Sequence, residues 1–184
     1  LTQLFVTRMA RFPEGVLPEF FNDDWSPAPG DRGRWVEPGH QFEWAWILAQ
    51  HQRLRGADHT ASVQALVAFA ERFGVDPASQ VTINGVRDDG AALDRGTRTW
   101  PNTERIKGWL GLYELTGADP KGAVAGSARL LLSRMLGDAP PGAWIDAYDD
   151  QGRSTVTSVP TSTLYHVFLA FAEALRLTPR LLAD

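Results

Sequence analysis

From Glu37 to Trp46 the chain reads Glu-Pro-Gly-His-Gln-Phe-Glu-Trp-Ala-Trp. His40 and Glu43 stand three positions apart, just past a Pro-Gly break. On a helix that spacing puts both side chains on one face, about a turn apart. Phe42, Trp44 and Trp46 surround them. An imidazole beside a carboxylate can take up or release a proton near neutral pH. Inside an aromatic patch, such a pair suits an uncharged, hydroxyl-rich ligand such as a sugar. A second histidine, His166, lies among Leu164, Tyr165, Val167 and Phe168. That apolar setting favours the neutral imidazole, which is the form a base needs.

Two influences on His40 oppose each other. In the first turn of a helix the positive end of the dipole disfavours imidazolium. Glu43 favours it, or orients the ring. Glu43 is then either a partner of His40 or an acceptor for sugar hydroxyls, and both roles place it at the same spot. The plain alternative for each histidine is a core residue satisfied by a backbone carbonyl. His51, three turns beyond His40, and His59, beside Asp58, read as surface residues. His40, Glu43 and His166 lack the second nearby histidine of zinc-binding helices, so no metal is expected. With 17 glycines there is still no phosphate-cradling loop or dinucleotide fingerprint, so no cofactor is expected.

Six helical segments are predicted to position these groups. The first runs from Leu1 to about Arg11, with Leu4, Phe5, Met9 and Phe12 in phase, and stops at Pro13. A Pro/Gly-rich stretch from Asn22 to Gly39 follows, long enough to be a functional loop. The second helix spans about His40 to Arg55, apolar nearly all round, and ends at Gly56. The third spans about Thr60 to Phe73, the fourth Asn102 to Leu115, the fifth Pro120 to Leu136. The sixth starts after Pro160 with Thr161 or Ser162 as cap and ends near Leu177, before Pro179. Val81 to Val86 and Ala143 to Tyr148 read as short strands, with turns at Arg87–Gly90 and Asp149–Gly152. Buried and amphipathic helices alternate, which fits an inner and an outer layer with hairpins at one mouth. An ordinary helical bundle gives the same periodicity.

Composition narrows the partners. The 184 residues allow one domain with a sizeable core, and 43% hydrophobic content argues against disorder. A net charge of -4 with no Lys/Arg cluster beyond Arg32 and Arg34 makes nucleic acid a poor partner. The absence of cysteine fits a reducing, cytoplasmic setting. No apolar run reaches membrane-spanning length, and no membrane partner is expected. Seven tryptophans are first of all core fillers, although their faces also suit sugars.

Three stretches resemble the signatures of one family. They are Val36–Trp46, Trp100–Lys107 (Trp-Pro-Asn-Thr-Glu-Arg-Ile-Lys) and Pro160–His166 (Pro-Thr-Ser-Thr-Leu-Tyr-His). In order and spacing they resemble the N-acylglucosamine 2-epimerase family, and they cover most of the chain. Their wording is closest to the mannose isomerase branch, also labelled mannose-6-phosphate isomerase-like. The resemblance implies an all-α fold, an (α/α)6 barrel with its site at one mouth. Residues 1–184 would form a single domain, the C-terminal half of that barrel, with about six helices and short hairpins between them. An N-terminal half, or a second copy, would complete it.

The resemblance also implies the chemistry. Free sugars would be interconverted by aldose–ketose isomerisation, such as mannose to fructose, or by 2-epimerisation, through an enediolate and without cofactor. N-acylglucosamine 2-epimerase activity is an alternative. His40 and His166 would be the catalytic bases. Glu43, Glu104 and Trp100 would hold the substrate. Glu104 reads as a sugar or histidine partner, or else a solvated helix-start glutamate. Arg105 and Lys107 read as surface partners of carboxylates. The missing phosphate loop weakens a phosphosugar substrate. Two rivals remain: a glycoside hydrolase using Glu43 and Glu104, and a non-catalytic interaction module with an exposed apolar seam.

Overall fold

The computed structural model describes residues 1–11 and 14–183. Helix α1, Thr2–Leu4, runs directly into a π-helical turn, Phe5–Met9. The first helix thus ends sooner than predicted, and Arg11 instead bridges to Val16. The predicted stop at Phe12-Pro13 lies outside the described residues. A 3-10 turn, Gly30–Arg34, and strand β1, Trp35–Val36, lead into α2, Pro38–Arg55. Pro38 opens that helix where its missing amide costs nothing. Gly56 closes it in the left-handed conformation, φ +74°, its amide donating to the Gln52 carbonyl.

Helix α3, Thr60–Gly74, precedes strands β2, Gly85–Arg87, and β3, Ala92–Asp94. These form an antiparallel sheet in the order β1-β2-β3, with Trp35 opposite Arg87 and Val36 opposite Val86. The predicted strand at Val81–Val86 is thereby displaced toward its end. Thr82 makes only an isolated bridge to Val75, because its amide is claimed by the Asn102 side chain at 2.9 Å. The turn after β2 forms as predicted, with Gly90 at φ +89°.

Strand β4, Thr97–Arg98, leads into α4, Thr99–Thr116. This helix starts three residues before the predicted Asn102. Thr99 is anchored by tertiary bonds, its amide to the Asp146 carbonyl and its hydroxyl to the Ile145 carbonyl. Asn102 lies within the first turn and braces it to Thr82, Thr97 and Arg98. Helix α5, Lys121–Leu130, continues as a π-helical turn, Leu131–Met135. The predicted strand before Tyr148 shrinks to β5, Ala147–Tyr148, paired with β4. Its turn at Asp149–Gly152 forms as predicted, Asp149 donating to the Arg153 carbonyl. Helix α6, Ser162–Leu181, passes through Pro179 instead of stopping before it. The N–H hydrogen bond that Pro179 cannot donate belongs to the last turns of the helix, where water can donate to the freed carbonyl instead.

Helix α4 lies at the centre. It packs against α2 on one side and α6 on the other, with α3 and α5 outside. The inner and outer layers expected from the alternation are therefore present. Phe42, Ala45 and Leu48 of α2 pack with Val63, Leu66 and Ala70 of α3. Ile106, Leu110 and Tyr113 of α4 pack with Leu131, Met135, Ala170 and Leu177. Each such large side chain contributes about 1.5–3 kcal/mol on full burial. Gly108 lets α2 approach α4 closely, since a Cβ there would lie 2.9 Å from the Phe42 ring.

Enclosure of α4 corrects one expectation. Arg105 and Lys107 are not surface residues: both are buried. Arg105 pairs with Glu71 at 2.6 Å, and Trp109 donates to the same carboxylate. Helix α6 behaves differently. Its inner side carries Thr163, His166, Ala170 and Leu177, while Leu164, Phe168, Leu175 and Leu182 share an exposed apolar face. Among the described residues no helix is long and apolar enough to cross a membrane.

Candidate functional site

The two signature histidines come together around one indole. Trp100 sits in the first turn of α4, with the His40 ring centroid 4.8 Å from its own and the His166 centroid 5.3 Å away. Gly39 makes room for it: a Cβ on Gly39 would lie 2.6 Å from the Trp100 ring. Asp146 fixes the start of α6 against this assembly. Its carboxylate accepts from the Thr163 hydroxyl at 2.8 Å and the Trp144 indole at 3.0 Å. His166 follows Thr163 by three residues, so it is delivered on the same inward face.

The two imidazoles are anchored differently. His40 holds its Nδ1 2.8 Å from Glu19 Oε2, with Glu37 at 3.8 Å. Burial acts to lower the His40 pKa, but the hydrogen bond and charge of Glu19, helped by Glu37 and Glu43, outweigh it and raise the pKa. Glu43 is therefore not the group that orients His40. Glu19 also accepts from the Glu37 amide, which ties the loop before β1 to the start of α2. Glu37 in turn pairs with Arg98 at 2.8 Å.

His166 is buried and presents Nδ1 to Glu104 Oε1 at 2.5 Å. The same oxygen lies 2.8 Å from Lys107 Nζ, as an ion pair without hydrogen-bond alignment. Glu104 is fully buried, so it is a histidine partner and not a solvated residue. Its other oxygen, Oε2, has no hydrogen-bond partner among the described residues. Glu43 faces this cluster. One ligating atom from each of Glu43, Glu104 and His166 lies within 4.8 Å of the others, close enough to share a cation, and the cation beside them is Lys107.

Burial, followed by the Glu104 charge, raises the Glu43 pKa, against the pull of Lys107, His166 and His40. Tyr165 lies against His166 with ring centroids 3.8 Å apart and the planes tilted by 31°. Burial and the charges of Glu43 and Glu104 push its hydroxyl up to about 12. Tyr165 stands in the third signature beside His166, and adjacency was the one signal that marked it. Glu19 had none, being 21 residues from His40 in an irregular segment. All five residues singled out from the sequence, His40, Glu43, Trp100, Glu104 and His166, are gathered here.

His51 and His59 lie elsewhere. They are half-buried and joined Nδ1 to Nε2 at 2.8 Å, which corrects their expected surface placement. The Gln52 side chain pins the His59 amide and brings the end of α2 against the start of α3.

Comparison with known proteins follows this geometry. The family described as N-acylglucosamine 2-epimerase (GlcNAc 2-epimerase) matches residues 1–170. A mannose-6-phosphate isomerase of Rhizobium meliloti (strain 1021) is 36% identical over 177 residues, which is 94% of this chain and 46% of that protein. A solved D-mannose isomerase superposes with TM-score 0.73 at 22% identity, over 85% of this chain and 43% of that one. The cellobiose 2-epimerase of Spirochaeta thermophila DSM 6192 superposes with TM-score 0.74 at 22% identity, over 98% and 45%. The chain thus spans less than half the length of each. The shared fold is the (α/α)6 barrel, of which these helices make up about half.

Proposed function

This chain belongs to the N-acylglucosamine 2-epimerase family, and from that premise we propose that it carries the acid–base pair of a cofactor-independent sugar isomerase or epimerase. One observation carries the reading. His40 and His166 flank a single indole, and each has its Nδ1 engaged by a carboxylate. That arrangement leaves Nε2 of each ring to meet substrate.

The hard step is removal of the proton on the carbon beside the sugar carbonyl. His166 takes that proton. The C–H electron pair becomes the enediolate double bond, and the carbonyl oxygen takes up the negative charge. His40, whose proton affinity Glu19 raises, protonates that oxygen. His166 then returns its proton to the former carbonyl carbon while His40, now neutral, takes the proton of the hydroxyl on the original carbon; the carbonyl forms there, and the ketose leaves both rings as they began. For the epimer, His40 instead takes its proton back from the oxygen and delivers it to the opposite face of the original carbon as the first carbonyl re-forms, and exchange with solvent discharges His166 and recharges His40. Trp100 walls the sugar, while Glu43 and the open oxygen of Glu104 hold its hydroxyls.

The substrate is a free aldose such as mannose, with an N-acylglucosamine as the alternative. Four carboxylates, Glu19, Glu37, Glu43 and Glu104, surround the two rings. Such a setting repels a phosphate. Residues 1–184 act as a single domain, the C-terminal half of the barrel. A further half-barrel or a second copy covers the apolar face of α6. Incubation with mannose, glucose, fructose and N-acetylated hexosamines in deuterated water tests the reading. Deuterium is expected beside the carbonyl of the true substrate, from this chain or from a longer one that contains it. No exchange with any of them in either form defeats it. Glycoside hydrolysis that survives His166→Asn would transfer the site to the hydrolase reading.

A further inference from the structure

Lys107 takes no step in the proton transfer, yet it is the most deeply enclosed cation near it. Its side chain is 1% exposed and that of Glu104 is not exposed at all. The ammonium lies 4.4 Å from the centre of the Trp46 ring, and Trp46 is itself held by Glu173. Burying an ammonium costs several kcal/mol unless it is compensated, and a leucine or methionine would fill the same space without that cost. The charge therefore has a use beyond packing.

We propose that Lys107 is a positioning residue, the built-in cation that balances Glu104 so that His166 remains free to accept a proton. This rests on His166 being the base. The groups facing His166 are Glu43 and His40 from α2, Glu104 and Lys107 from α4, and Tyr165 beside it on α6. Without Lys107, two carboxylates would face one imidazole with no fixed cation and would hold it as imidazolium. A base already carrying its proton cannot take another. Lys107 stands three residues from Glu104 on the same helix, so it cannot leave as a dissociable ion would.

The test follows the side-chain nitrogen resonances of His166 by NMR across the neutral pH range, in the wild-type chain and in K107Q, K107M and K107R. Thermal melts check that each variant is folded. K107Q and K107M remove the charge, and each is expected to raise the His166 titration midpoint by about one pH unit or more. K107R keeps the charge and is expected to stay within about 0.3 units of wild type. An unchanged midpoint in a folded K107Q or K107M overturns the proposal. So does a shift of about one unit in K107R, which is decisive even if both neutral variants fail to fold. No sugar is needed for the measurement. Its failure is thereby separable from failure of the isomerase reading, which the deuterium experiment judges.

Discussion

His40 and His166 each present a ring nitrogen to a carboxylate, but the two settings share little else. Around His40 the partner, Glu19, comes from an irregular segment, and the imidazole side chain is 36% exposed. Around His166 the partner comes from the central helix, is fully buried, and is shared with an ammonium. The first pair is partly open to solvent, and the second is almost wholly buried. The same imidazole–carboxylate contact is weakly coupled to folding at one site and strongly at the other, because water competes only where it can enter.

Five substitutions sharpen or break that contrast. His40→Asn and His166→Asn are each expected to cut proton exchange on the substrate by about 10²–10⁴-fold, read as deuterium incorporation. A much smaller loss in either would remove that ring from the chemistry. Glu104→Leu leaves the Lys107 ammonium buried without its partner, and urea denaturation should show a loss of about 3–5 kcal/mol. Gly39→Ala drives a methyl group into Trp100. It should cost about 1–3 kcal/mol in the same assay and weaken sugar-induced changes in tryptophan fluorescence.

Glu19→Gln has the smallest expected effect, under about 1 kcal/mol after solvent screening. Its pH dependence is the informative part. The His40 pKa is raised in the folded chain from 6.5. The ion pair thus contributes stability below the unfolded pKa and loses it as pH rises through the folded one. Wild type should exceed Glu19→Gln in stability under mildly acidic conditions, and the two should converge on the alkaline side. A difference that grows with pH would show that Glu19 does not hold a charged imidazole.

The helices were legible because the apolar spacing and the glycine stops act locally. Gly56 and Gly117 each end a helix in the left-handed conformation that glycine adopts without strain. The misjudged boundaries are those set from a distance. Thr99 begins α4 because Asp146 and Ile145 hold it, and both lie more than 40 residues on. Arg105 and Lys107 carry charges that mark a surface by composition alone. Only the packing of α2, α3, α5 and α6 around α4 puts them inside. The site followed the same division. His40, Glu43, Trp100, Glu104 and His166 stand in three short motifs, whereas Glu19 belongs to none.

Residue types and their local spacing determined the six helices and the turns at Gly90 and Gly152, while the resemblance of three short motifs to one family singled out the five side chains that meet around Trp100. Tertiary structure decided which carboxylate serves which imidazole: Glu19 for His40, and Glu104, with its lysine, for His166. Helical periodicity acts over one turn and can state which residues share a face. Ion pairing acts across space between elements, and its strength depends on how much water the finished fold excludes.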